Sequence, residues 1–214
     1  MEERKLLDLL KKMHPQAECE LNFETPYQLL VAVILSAQCT DKRVNMITKD
    51  LFSKWGTPEA ILSLSQEELE GEIKSCGFYH NKAKNILKAT EMLLKEYGGV
   101  VPEDRDLLER LPGVGRKTAN VVYAVAFGVN AIAVDTHVFR LSHRLGLSDA
   151  KEPVGVEKDL NARFEEKDWS DLHHLLIHHG RYVCKAQSPA CGECLLQEGC
   201  LYYKDHNGVS KSSK

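Results

Sequence analysis

Ten residues constrain this 214-residue chain more than any others: Leu111-Pro-Gly-Val-Gly-Arg-Lys117-Thr-Ala-Asn120. Pro112 halts a preceding helix, and Gly113 and Gly115 suit a tight turn. The nearly unbroken apolar run at 119–127 then predicts a buried helix. A backbone that turns this sharply presents the free N–H groups of a helix start, and those groups make a seat for a phosphate. Lys117 lies in the first turn of the second helix. A lysine in that place is either an electrostatic contact or a nucleophile, and the turn alone does not choose between them.

The rest of the chain has helical character. Leu6, Leu9, Leu10 and Met13 recur at helical spacing over 2–13. Pro26 suits the first position of a buried helix running to about residue 38. Helices are predicted over 41–55, 65–75 and 81–97, the last ended by Gly98-Gly99 with Pro102 just beyond. Further helices are predicted over 103–110, 117–127, 136–145, 153–164 and 170–183. Period-2 patterns with hairpin turns are missing, so the fold class is all-α. Two lobes are expected: residues 19–129, and residues 1–18 together with 130–214. Periodicity alone does not say which lobe the N-terminal helix packs on.

The formal net charge of −3 and pI near 6.3 argue weakly against a nucleic-acid partner. The distribution matters more than the sum. Residues 57–72 carry Glu59, Glu67, Glu68, Glu70 and Glu72 and no base. Residues 77–90 carry Lys82, Lys84 and Lys88 and no acid. Residues 136–147 carry Arg140 and Arg144 with His137 and His143, again without an acid. Solvated helix faces or a DNA-binding surface would both explain these segments. The start of the chain is charged and amphipathic, unlike a signal peptide, and the apolar runs at 29–37 and 119–127 are too short to span a bilayer. A cytoplasmic protein without membrane contact is expected, with residues 205–214 frayed.

Seven cysteines are present. Cys19, Cys39 and Cys76 are scattered and suit small apolar sites. Cys184, Cys191, Cys194 and Cys200 form the spacing C-x6-C-x2-C-x5-C. Four thiols in one short loop of an intracellular chain favour a metal centre over disulfides. The compact run, with a single C-x2-C pair, suits an iron–sulfur cube better than zinc, though spacing alone leaves both open. His174 and His178 stand four apart on the neighbouring segment and form a possible metal pair. A polar helix face with packed imidazoles is the preferred reading.

Asp135 follows apolar residues and precedes a helix, which suits an N-cap. It could instead be the acid–base partner of Lys117. A lysine attacks only when neutral, so a desolvated pocket is expected around Lys117. A carboxylate also stabilises an oxocarbenium-like sugar centre.

Taken together, Leu111 to Asn120, Val134-Asp135-Thr136-His137 and the four-cysteine loop resemble the endonuclease III family. These are bifunctional DNA glycosylases of the helix–hairpin–helix superfamily. Leu35-Ser-Ala-Gln38, Gly77-Phe-Tyr79 and His179-Gly-Arg-Tyr182 add to the resemblance, which covers residues 6–202. It implies a helical barrel domain with the hairpin at about 104–127, and a [4Fe–4S] cluster on Cys184, Cys191, Cys194 and Cys200. It implies that Lys117 is the nucleophile attacking C1′ of an oxidised pyrimidine nucleotide, with Asp135 the assisting carboxylate and β-elimination following. The implied partner is double-stranded DNA containing oxidised pyrimidines or abasic sites, bound by a monomer on the bacterial nucleoid. Gly113, Val114, Gly115 and Arg116 match the phosphate-holding hairpin, and His137 and Arg140 are further candidate DNA contacts. Gln38 and Phe78 match the residues that fill the hole left by an extruded base, although the family usually has an aliphatic residue at Phe78. The cysteine loop, often basic in the family, here offers only Lys185, so a small share of DNA binding is expected from it. A mismatch adenine glycosylase is disfavoured because the segment 27–36 has no carboxylate and Lys117 is present. A non-catalytic cluster protein leaves the pairing of Lys117 with Asp135 unexplained.

Overall fold

The computed structural model describes residues 1–207, and all regular structure among them is helical. The chain divides into two compact units, Glu20–Val129 and Met1–Cys19 with Asn130–Lys214.

The first unit holds α2 (Pro26–Ser36), α3 (Asp41–Trp55), α4 (Pro58–Leu62), α5 (Gln66–Ile73), α6 (Tyr79–Tyr97), α7 (Arg105–Glu109) and α8 (Arg116–Phe127). Its centre is α2. Thr25 caps that helix by accepting from Gln28 N–H, and Pro26 opens it. Every residue from 27 to 35 is then buried, so α2 is apolar all round and must be wrapped. Helices α3, α6 and α8 pack against it. Each buried Leu or Ile of α2 contributes about 1.5–3 kcal/mol. The single deep hydroxyl, on Tyr27, bonds to Thr90 Oγ1 at 2.8 Å. Helix α4 was not anticipated. It arises where Thr57 accepts from Ala60 N–H and Pro58 fills the first turn, inside the acidic stretch that conceals any apolar period.

The second unit holds α1 (Glu3–Met13), α9 (Thr136–Leu145), α10 (Pro153–Arg163), α11 (Trp169–Tyr182) and α12 (Leu201–Asn207). Leu6, Leu7 and Leu10 of α1 join Val138, Leu141, Leu160, Leu172 and Leu176 in one core. The N-terminal helix therefore packs in this unit, against α11. The fraying expected for 205–214 is corrected at 205–207, which continue α12. That helix is docked because Leu201 lies against Gly146, where a Cβ would meet Leu201 Cδ1 at 2.6 Å. Residues 208–214 lie outside the described residues. No helix among those described is long and apolar enough to cross a membrane.

Candidate functional site

The hairpin is built by α7, a turn and α8. Asp104 caps α7 by accepting from Leu107 N–H at 2.9 Å. Leu108, Leu111 and Val114 are buried and hold the turn down. Gly113 has φ +81, and a Cβ there would meet Asn85 Cβ of α6 at 2.8 Å. Glycine is required at that position twice over, by conformation and by close approach. Gly115 differs from the expectation of a strained turn residue. Its φ of −94 is ordinary, and a Cβ would meet nothing within 4 Å. Nothing in the described protein demands glycine there, so the bare backbone faces outward and leaves room for a ligand. Val114 N–H is already used, donating to Leu111 O at 3.0 Å. The amides available to a phosphate are therefore those of the helix start. Gly115 is the N-cap of α8, with no side-chain cap and no acid in the first turn. Arg116 lies 4.0 Å from Glu109. Lys117 is exposed, and among the described residues it has no hydrogen bond or ion pair. The desolvated pocket expected around it is not supplied by the described protein, which leaves burial of this amine to a ligand.

Gln38 and Phe78 stand on neighbouring loops of the same unit. Both have left-handed backbones, with φ of 54 and 59. Strain of that kind costs about 1–3 kcal/mol per residue and gathers at functional positions. Phe78 is 64% exposed at the start of α6, so it is not a core aromatic.

Asp135 is the N-cap of α9. Its Oδ1 accepts from His137 N–H and Val138 N–H, both at 2.8 Å. The capping role is therefore real. It leaves Oδ2 uncommitted on a carboxylate whose orientation is fixed and which is half-buried. One oxygen holds the helix, and among the described residues the other accepts no hydrogen bond. His137 lies beside it, and burial holds its imidazole below the usual histidine range, with Arg140 and Arg181 adding to the effect against Asp135. Arg140 turns inward. Its Nη2 donates to Gly180 O and Cys184 O, each at 2.9 Å. Four residues on, Arg144 donates to Lys185 O at 2.8 Å and Ala186 O at 3.0 Å, and stacks over Tyr202 at 4.2 Å. Arg140 and Arg144 of the basic segment at 136–147 thus face the protein rather than forming a solvated helix face. They tie down the cysteine loop.

The four cysteines of that loop are free thiols. They line one apolar cavity together with Leu145, Val183 and Pro189. Among the described residues no three ligand side chains converge as a single ion requires. Zinc would draw its sulfurs to about 2.3 Å from one point, whereas sulfurs placed around a cavity suit a cube. Burial raises the Cys194 and Cys200 thiols, and the neighbouring thiolates raise them further. Bound iron supplies the opposing positive charge. Donors already face the sulfurs, with Arg144 Nη1 at 3.3 Å from Cys184 and Leu196 N–H at 3.4 Å from Cys194. His179 Nε2 is 3.5 Å from Cys194, and its Nδ1 is 3.0 Å from His14 Nε2. Burial, with His14 adding to it, pushes the His179 imidazole down to about 4. Of the histidines of α11, His173 and His179 are buried, while His174 and His178 are half-buried. Lys185 is exposed on the loop.

Sequence reasoning missed Lys82, the basic residue of 77–90 that is buried rather than surface-exposed. It also missed the inward roles of Arg140 and Arg144. Their i, i+4 spacing was a signal for the arginines; Lys82 offered none.

The chain matches the family model for HhH-GPD superfamily base excision DNA repair proteins over residues 31–166. Residues 184–200 match the iron-sulfur binding domain of endonuclease III. It is 58% identical over 208 residues to endonuclease III of Bacillus subtilis, covering 96% of this chain and 95% of that one. It is 47% identical over 197 residues to endonuclease III of Escherichia coli K12, covering 92% and 93%. Among solved structures, a trapped covalent endonuclease III–DNA intermediate superposes with a TM-score of 0.92 at 53% identity, over 95% of this chain and 96% of that one.

Proposed function

The chain belongs to the HhH-GPD superfamily of base excision DNA repair proteins and, within it, to the endonuclease III family, and we propose that Lys117 is its nucleophile and Asp135 its assisting carboxylate. The protein is a DNA glycosylase with AP lyase activity whose partner is double-stranded DNA, and its cysteine loop holds a [4Fe–4S] cluster. When bound, that cluster cross-links four thiolates. Arg140 and Arg144 hold the loop around it.

Bound DNA brings phosphate to the amides at the start of α8. Bound DNA covers the amine of Lys117, which attacks through its nitrogen lone pair. Its nitrogen donates a lone pair to C1′ of an extruded oxidised pyrimidine nucleotide, and the bond from C1′ to the base breaks. Asp135 stabilises the positive charge that develops on the sugar through Oδ2, while Oδ1 stays fixed by two N–H groups. The departing base and the sugar oxygen O4′ each take up a proton, the nitrogen gives up one as the C1′–O4′ bond breaks, and the nitrogen and C1′ become an iminium on the opened sugar. Loss of a proton from C2′ then expels the 3′ phosphate, which is β-elimination. Gln38 and Phe78 fill the space the nucleotide leaves. Val114 contributes by anchoring the turn, and Gly113 by shaping it. DNA as partner and the bacterial relatives support the reading that the protein works on the bacterial nucleoid.

One observation carries the assignment of Lys117. It is an exposed lysine, unpaired among the described residues, on the first turn of an uncapped, glycine-opened helix. The test uses duplex containing thymine glycol, with borohydride to reduce the iminium. Wild-type protein gives a covalent adduct and Lys117→Ala gives none. An adduct that persists in Lys117→Ala overturns the assignment.

A further inference from the structure

Lys82 is the least expected side chain in the first unit. It is only 5% exposed, and among the described residues it has no carboxylate partner. Burying an amine without a counter-ion is costly unless its donors are satisfied. Its Nζ donates to Leu35 O at 2.8 Å and lies 3.5 Å from Cys76 Sγ. Cys76 is fully buried, and its thiol also donates to Leu35 O, at 3.2 Å. Burial, with Cys39 adding to it, pushes that thiol up to about 11, so it stays a donor. Three groups from three elements thus meet at one point: the last turn of α2, the turn after α5 and the first turn of α6.

The location of this point gives it meaning. Leu35 O is one of the carbonyls that a helix end leaves without an intrahelical partner. A cation there also meets the negative end of the helix. Three residues beyond Leu35 is Gln38, and two beyond Cys76 is Phe78. Lys82 itself closes the first turn of α6 onto Phe78, its N–H donating to Phe78 O at 3.1 Å. The two loops pass so closely that a Cβ on Gly77 would lie 3.9 Å from Gln38 O. Both Gln38 and Phe78 hold left-handed backbones. Such conformations persist only where neighbouring structure over-determines them.

We propose that Lys82 is a positioning residue, whose amine joins the end of α2 to the Cys76 turn and so sets the spacing between Gln38 and Phe78. The proposal rests on the reading of those two residues as the pair that fills the hole in the duplex. Lys82 touches no substrate. It acts through the loops that do.

The hole exists only in duplex DNA, which separates positioning from general stability. The experiment compares borohydride trapping rates on an abasic site in duplex and in the same strand without its complement. Lys82→Met keeps the apolar stem and removes the amine. Its duplex rate falls about 10-fold or more, as small misplacements of positioning groups do, while its single-strand rate stays within about 2-fold. Equal losses on both substrates, or no loss on either, overturn the proposal. If Lys82→Met does not fold, Cys76→Val keeps the core volume and removes one member of the junction. Its duplex-selective loss is expected to be smaller, about 3-fold, and an unselective effect overturns the proposal in the same way. The double variant Gln38→Ala with Phe78→Ala tests the underlying reading by itself. If that variant shows no duplex-selective loss, the hole-filling assignment fails, and the Lys82 proposal fails with it for a separately visible reason.

Discussion

The glycine hairpin and the cysteine loop are both irregular connections beside a helix end, and they are held by opposite means. The hairpin is held from beneath. Leu108, Leu111 and Val114 are buried under it, Asp104 caps its first helix, and Gly113 takes the one conformation that needs glycine. The loop at 184–200 has little apolar weight of its own, with Leu196 its one fully buried large side chain. It is held from the side by Arg140 and Arg144, which occupy four of the carbonyls at 180–186, and by thiols arranged for a cluster. A segment held by burial folds with its core. A segment held by ligation folds with its metal.

The largest expected effect breaks this contrast directly. Cys194→Ser removes one ligand from the cavity, and the loop should lose its order while the hairpin keeps its own. Structural metal sites are worth several kcal/mol or more. The variant should lose its iron–sulfur absorbance and become sensitive to protease within 183–207, with residues 105–127 still protected. Equal protection of both segments in the colourless protein would show that arginine contacts suffice and that the contrast is wrong.

Asp135 sharpens the comparison, since the proposed function gives one carboxylate both a helix end to cap and a part in the reaction. Asn caps a helix nearly as well as Asp, so Asp135→Asn should leave stability within about 0.5 kcal/mol. It also removes the charge on Oδ2, and base release should slow by about 100-fold or more. Asp135→Ala should show the same kinetic loss and a further drop in stability of about 1–2 kcal/mol from the lost cap. Thermal melts beside single-turnover rates separate the two contributions. A fully active Asp135→Asn would reduce the residue to a cap.

These contrasts also mark what could be read from the residues alone. Helix α3 lies where its pattern predicts it, because Thr40 and Asp41 begin it and Gly56 follows it. The hairpin and the cysteine spacing were legible for the same reason, since their information lies within ten to seventeen neighbouring residues. Lys82 was not legible. Its role depends on Leu35, 47 positions away, and on the meeting of three elements. The inward hydrogen bonds of Arg140 and Arg144 were not legible because charge in a sequence carries no direction. Forty residues separate each from the loop it holds. Local signals found the elements, and long-range pairing decided which charges face inward.

The two hairpin glycines carry the comparison down to single residues. Gly113→Ala forces a side chain into a left-handed backbone and against Asn85, and should cost about 1–3 kcal/mol. Gly115→Ala meets only open space and should cost about 0.5 kcal/mol as a poorer cap. Affinity for duplex DNA should nonetheless fall in Gly115→Ala, because the added methyl stands where phosphate must approach the amides. Chemical denaturation ranks the stabilities, and anisotropy titrations rank the affinities. A Gly115→Ala protein that binds DNA as wild type does would move the phosphate seat elsewhere.

The smallest expected effect falls on Lys185, and it follows from the way the loop is held. Arg144 faces inward to Lys185 O and Ala186 O, leaving Lys185 as the exposed base within 184–190. One lysine neutralises at most one phosphate, so Lys185→Ala should lower the slope of log affinity against log salt by no more than about 0.9. The hairpin contacts remain intact in that variant, and most of the slope should remain with them. A drop worth several phosphates would mean that removing one charge had displaced the whole loop. DNA binding would then depend on the ligated segment as much as on the buried one, and the division between the two regions would not extend to function.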